Sequence, residues 1–74
     1  MLRVRLFQDH QAVFEGVASH IVLPGDGGEL SVLDYHAPML CVLSEGDIYI
    51  DEARFGIHGG IVSVARNFVT IMTH

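Results

Sequence analysis

Histidine and carboxylate side chains are the groups in this sequence with the clearest capacity for chemistry. The chain has five histidines and nine acidic residues among 74 residues, and imidazole with carboxylate is a common ligand set for transition metals. A metal site on strands favours an H-x-H spacing, because side chains of a strand return to the same face every second residue. No such pair occurs, and only His20 and His58 fall in segments with strand character. These two histidines remain the candidates for metal ligands. A metal-binding protein or enzyme built on a small β-barrel thus stays open as an alternative.

Possible nucleophiles are no better placed for catalysis. None of the serines lies in a G-x-S-x-G turn, the arrangement that exposes a catalytic hydroxyl. Cys41 has only apolar neighbours and no adjacent base or cation to activate it. The glycine-rich segment 25–28 lacks the Gly-Lys-Ser/Thr ending of a phosphate loop and leads into a strand. We predict no catalytic residue, no resident metal and no cofactor.

Charge and hydropathy exclude two classes of partner. The chain has four arginines, no lysine and a formal net charge of -5, so a phosphate backbone would be repelled. The longest apolar run, 37–43, contains a proline and is much shorter than the ~20 residues that cross a bilayer as a helix. The sequence predicts neither nucleic-acid binding nor direct membrane insertion.

The elements that must position any site are strands. Apolar and other side chains alternate with a period of two along most of the chain, as in Leu2, Val4 and Leu6 with Arg3 and Arg5 between them. Gly59-Gly60 marks a bulge or a close backbone approach, and Asp51-Glu52 a tight hairpin. The pattern predicts a single all-β domain over residues 1–74, a small β-sandwich of about eight to ten short strands. The predicted strands are 2–6, 12–15, 17–23, 29–33, 39–43, 47–50, 53–57, 61–64 and 68–72.

Several short motifs follow one another in a specific order. They are Phe14-x-Gly16, Gly28-Glu29-Leu30, His36-Ala37-Pro38, Gly59-Gly60 and Val69-Thr70-Ile71. In order and spacing the chain resembles, over nearly its whole length, the N-terminal β-sandwich domain of the epsilon subunit of F-type ATP synthases, called delta in mitochondria.

The resemblance implies a non-catalytic subunit of the central stalk, part of the rotor. Such a subunit packs on the gamma subunit and touches the polar loops of the membrane c-ring, so that ion translocation is coupled to ATP synthesis. It implies a peripheral position on the cytoplasmic face of the bacterial inner membrane, through the complex. In this family the loops around the Gly28-Glu29-Leu30 and His36-Ala37-Pro38 motifs lie toward the ring. The expected ring contacts are Gly28, Glu29, Tyr35, His36, Ala37 and Pro38.

Departures from the family pattern limit what is carried over. The family continues into two antiparallel helices that inhibit hydrolysis and, in some members, bind ATP; they would begin near His74, so neither property is expected of these 74 residues. Ser31 and Asp34-Tyr35 replace small or turn-forming residues near the motifs, and the Asp51-Glu52 hairpin is short. Two alternatives stay open beside the rotor subunit: a metal protein of the cupin type, and a stand-alone interaction module with the epsilon fold.

Overall fold

The computed structural model describes all 74 residues and contains seven strands and no helix. Their order in the sheet is β2-β1-β7-β6-β5-β3-β4, and only β1 and β7 pair in parallel. The prediction of an all-β chain is confirmed. No helix is present that could cross a membrane. The strands are β1 (Leu2–Gln8), β2 (Gln11–Ala18), β3 (His20–Gly25), β4 (Gly28–Leu33), β5 (Met39–Ile50), β6 (Ala53–Ala65) and β7 (Phe68–Thr73).

The number of strands differs from the predicted eight to ten for two reasons. The predicted strands 39–43 and 47–50 are continuous in β5, and 53–57 and 61–64 are continuous in β6. The predicted strand 17–23 is also divided at Ser19, but residues 17–18 join 12–15 in β2, so this division leaves the number of strands unchanged. Glycines do not interrupt β5 and β6, because Gly46 pairs with Ile57 and the register between these strands is the same on both sides of Gly59.

The single sheet folds over to make two layers. β2 pairs with β1, β1 with β7, and β7 with the second half of β6, which in turn pairs with the first half of β5. The far end of β5 pairs with β3, and β3 with β4. Fifteen buried apolar side chains, contributed by all seven strands, form one core cluster between these layers. The structure is therefore a β-sandwich in which β5 and β6 belong to both layers.

Gly59 and Gly60 mark the place where β6 passes between layers. Ile57 is buried before them and Val62 after them, so the side-chain parity that faces the core reverses at this point. Gly59 has a φ of 125°, and a Cβ atom on Gly60 would overlap the carbonyl oxygen of Met72. Of the two predicted possibilities, the structure confirms the close backbone approach.

Two-residue turns close the hairpins. Asp9 and His10 between β1 and β2 have φ values of 51° and 68°, and Arg66 and Asn67 between β6 and β7 have 53° and 64°. Positive φ at both central residues fits the type I′ turn that matches the twist of paired strands. The predicted hairpin tip at residues 51–52 is confirmed, because Ile50 pairs with Ala53.

Candidate interaction surfaces

The outward side of the layer formed by β2, β1, β7 and parts of β6 and β5 is largely apolar. Residues that pair directly in a sheet point to the same face. Met72 pairs with Phe7 on one side and with Ile61 on the other, and Ile61 in turn pairs with Val42. A row of apolar side chains thus crosses four strands. We call this surface the outer face. It comprises Arg3, Arg5, Phe7, Ala12, Glu15, Val17, Leu40, Val42, Ile61, Ser63, Ala65, Phe68, Thr70 and Met72.

The outer face concentrates exposed hydrophobic side chains. Leu40 is 74% exposed, Val42 60% and Phe68 56%, and Val17, Ile61 and Met72 are about half exposed. Six of the eleven large hydrophobic residues that are exposed in the chain lie on this one face. Contiguous apolar surface of this kind marks a place where another molecule binds.

Three charged side chains lie within the outer face. Arg5 Nε is 3.3 Å from Glu15 Oε2, and the Arg5 guanidinium lies 5.0 Å from the centre of the Phe7 ring. Arg3, opposite Val17 and Phe68 in the sheet, lies 6.0 Å from the centre of the Phe68 ring. Arg3, Arg5 and Glu15 all line a concavity of about 240 Å³. The two arginines therefore lie beside aromatic rings, and Glu15 pairs with Arg5.

The four later residues of the expected site lie at one end of this layer. Tyr35 is 90% exposed in the turn after β4, and its backbone N–H donates to Asn67 Oδ1 at 2.8 Å. His36 N–H donates to the carbonyl oxygen of Leu33 at 3.2 Å. Ala37 and Pro38 are exposed and lead directly into β5. The segment therefore borders the outer face.

Gly28 and Glu29 lie at the other end of β4. They are the first two residues of the strand, both exposed, and Glu29 pairs with Pro24 across the hairpin. At about 3.3 Å per residue, Glu29 is about 13 Å from Leu33, where the turn that contains Tyr35 begins. The structure therefore does not bring the six expected contact residues into one patch but separates them into two groups.

The Glu29 end of the molecule is acidic. Glu29 lines a concavity of about 330 Å³ together with Asp47, Tyr49 and Pro24, and none of the three ion pairs of the structure includes Glu29. Asp47 was not among the residues singled out in the sequence. Its position near Glu29 depends on β5 running beside β3, which no local pattern reveals.

His20 and His58, the two histidines of the metal alternative, are far apart. His58 Nδ1 lies 3.2 Å from Glu45 Oε2, whereas the backbone N–H of His20 donates to Asp51 Oδ1 at 3.1 Å. Glu45 and Asp51 are six residues apart along one extended path, or about 20 Å. No three His, Cys, Asp or Glu side chains are grouped so that they could hold a metal ion. The geometry gives the metal alternative no support.

The structure is a β-sandwich with a broad exposed apolar face, and its chemically reactive groups are dispersed over the surface. These features define a small interaction domain. Residues 1–74 match the family model for the "ATP synthase, Delta/Epsilon chain, beta-sandwich domain". The chain belongs to this family, as the motifs predicted.

Known proteins are similar in both sequence and fold. The ATP synthase epsilon chain of Bordetella avium (strain 197N) is 34% identical over 77 residues, covering 97% of this chain and 55% of that protein. The chain thus spans about half the length of the curated relatives that it matches. Chains in the cryo-EM structures of the Euglena gracilis mitochondrial ATP synthase (OSCP/F1/c-ring) and the Tetrahymena thermophila mitochondrial ATP synthase (central stalk/c-ring) superpose with TM-scores of 0.89 and 0.76. Each is 20% identical and covers 97% of this chain, with 49% and 62% of those chains matched. At this identity the likeness establishes the fold.

Proposed function

We propose that this chain is a non-catalytic rotor subunit of a rotary ATP synthase, linking the gamma subunit of the central stalk to the c-ring. The observation that carries the proposal is the uncovered apolar outer face in a member of the delta/epsilon family. The names of the curated relatives support it, as does the origin of the two structural neighbours in ATP synthase assemblies. The subunit acts by transmitting rotation, and in a bacterium the complex holds it at the cytoplasmic face of the inner membrane.

The outer face is the proposed seat of the gamma subunit. Burying one large apolar side chain is worth about 1.5–3 kcal/mol, whereas an exposed ion pair contributes about 0–1 kcal/mol. Six half-exposed apolar side chains therefore outweigh any single charge in affinity. A close-packed sandwich also resists deformation, which suits a part that passes torque from one neighbour to another.

The acidic end of the molecule is the proposed contact with the c-ring. Polar loops of c subunits carry arginine or lysine in this family, and Glu29 with Asp47 offers carboxylates to pair with them. Because the structure separates the two groups of expected contacts, we keep Gly28 and Glu29 as ring contacts. Tyr35, His36, Ala37 and Pro38 border the outer face instead and are proposed to lie nearer to gamma.

A pair of leucine variants tests the proposal. Leu40 is exposed on the outer face, and Leu33 is 56% exposed on β4, outside that face. In co-expression with the gamma subunit and affinity purification through gamma, Leu40→Asp should remove the chain from the complex, whereas Leu33→Asp should leave it bound. Both variants should keep the circular dichroism spectrum of the parent. Equal retention of the two variants, or failure of the parent chain to co-purify with gamma, would contradict the proposed function.

A further inference from the structure

We propose that the outer face contains a carboxylate-accepting site centred on Arg3, and that the surface of the gamma subunit seated there presents an acidic side chain to it. This inference rests on the proposed function and adds the chemistry of the partner. Arg3 would decide register and specificity, while the apolar side chains around it supply most of the affinity.

The distribution of charge over the chain is strongly uneven. On the outer face two arginines stand against one glutamate, a formal charge of +1, while two arginines and eight acids elsewhere give −6. Arg3 and Arg5 thus lie on the one face of an acidic chain where cations outnumber acids. Complementary potential favours a partner surface that carries carboxylates at this point.

Arg3 is the cation that remains available. Arg5 is occupied by Glu15, whereas Arg3 takes part in none of the three ion pairs. A guanidinium carries five N–H donors in a planar fork that fits both oxygens of a carboxylate. Arg3 stays beside the ring of Phe68, so its donors are held at the surface with restricted freedom.

The surroundings of Arg3 favour a carboxylate delivered by a protein surface. Arg3 lines the concavity of about 240 Å³ with Val17, Phe68, Thr70 and Glu15. Docking of an apolar partner on Val17 and Phe68 would exclude water and strengthen the ion pair beside them. A free phosphate brings no apolar surface to cover Val17 and Phe68 and would gain no such desolvation. The cavity therefore fits one acidic side chain on an apolar surface.

Binding of the full chain to purified gamma subunit, measured by isothermal titration calorimetry, tests this assignment. Arg3→Gln keeps an uncharged polar side chain of similar reach, and Arg54→Gln is the matched control because Arg54 is exposed on β6 opposite Tyr49, outside the outer face. We expect Arg3→Gln to raise Kd by about tenfold at low salt, the loss of one charge-assisted contact. Arg54→Gln should stay within about twofold of the parent, as expected for a surface change away from the contact.

Two further measurements separate the inference from the proposed function. The parent's affinity should fall as NaCl rises from about 50 to about 500 mM, and this dependence should be weaker in Arg3→Gln. Arg3→Gln binding as tightly as Arg54→Gln, while Leu40→Asp still abolishes binding, would overturn the carboxylate site and leave the docking of gamma intact. Failure of the parent chain to bind gamma would overturn the proposed function and this inference together.

Discussion

The side chain of Asp51 accepts the backbone N–H of Ser19 through both carboxylate oxygens, at 3.0 and 3.2 Å. The same carboxylate accepts the N–H of His20 at 3.1 Å. Ser19 is the only residue between β2 and β3, where the chain leaves one layer for the other, and Asp51 begins the β5–β6 turn. One side chain thus accepts the backbone N–H groups at one of the places where the chain passes between the two layers.

Replacing Asp51 should destabilise the domain. Asp51→Ala leaves the N–H groups of Ser19 and His20 without their acceptor and places alanine at a φ of 51°, so we expect a loss of about 1–2 kcal/mol. Asp51→Asn should cost less, because asparagine tolerates this φ and keeps one acceptor oxygen. Glu52→Ala, at the next residue of the turn, is the control. The thermal unfolding midpoint is measured for all three variants. An unchanged midpoint in Asp51→Ala would show that the hydrogen bonds from Ser19 and His20 to Asp51 do not stabilise the domain.

A methyl group at Gly60 should be among the most damaging small changes in the chain. Its Cβ would overlap the carbonyl oxygen of Met72, and relief would require β6 and β7 to separate at a ladder pair. We expect Gly60→Ala to cost about 2 kcal/mol or more in the free energy of unfolding. Gly27→Ala, where a Cβ meets nothing within 4 Å, should lie within about 0.5 kcal/mol of the parent. Equal urea midpoints for the two variants would show that β7 can move away from Gly60 without a loss in the free energy of unfolding.

The amide proton of Tyr35 should report on the link between the segment after β4 and the turn between β6 and β7. It is held by Asn67 Oδ1 at 2.8 Å, and Asn67 has a φ of 64°. Asn67→Gly permits this φ but removes the acceptor, so hydrogen exchange at Tyr35 should accelerate while the amides of β7 stay protected. Asn67→Asp keeps an acceptor oxygen and should restore slow exchange. Identical hydrogen exchange at the Tyr35 amide in the parent and in Asn67→Gly would show that the Asn67 side chain does not protect this amide.

Local alternation predicted the strands well because it is a local property. The pattern predicts that Arg3 and Arg5 point away from the core and that the hairpin tip lies at residues 51–52, and the structure confirms both. The division at Ser19 was missed, because Val17, Ala18 and Ile21 are apolar on both sides of it. Only the hydrogen bond to Asp51, 32 residues away, identifies Ser19 as the boundary between β2 and β3.

The interaction surfaces were less accessible to sequence reasoning than the strands. Val42 and Ile61 are as apolar as the buried Val62, so composition alone does not tell the outer face from the core. The family resemblance placed Glu29 and Tyr35 together as expected ring contacts, but β4 between them is extended and keeps them apart. Pairing of distant strands decides both points, and one sequence contains no direct record of that pairing.

Glu29 should matter for association with the rotor and little for folding. It is exposed, makes no ion pair and is the second residue of the edge strand β4, so Glu29→Ala should shift the thermal midpoint by no more than about 3 °C, which corresponds to about 0.5 kcal/mol for a domain of this size. Binding to detergent-solubilised c-ring should weaken, because the proposed partner is a basic loop. Glu52→Ala removes an exposed glutamate elsewhere and should leave ring binding unchanged. A midpoint several degrees lower in Glu29→Ala would make Glu29 a structural residue of the β3–β4 hairpin, and unaltered ring binding would remove it from the contact.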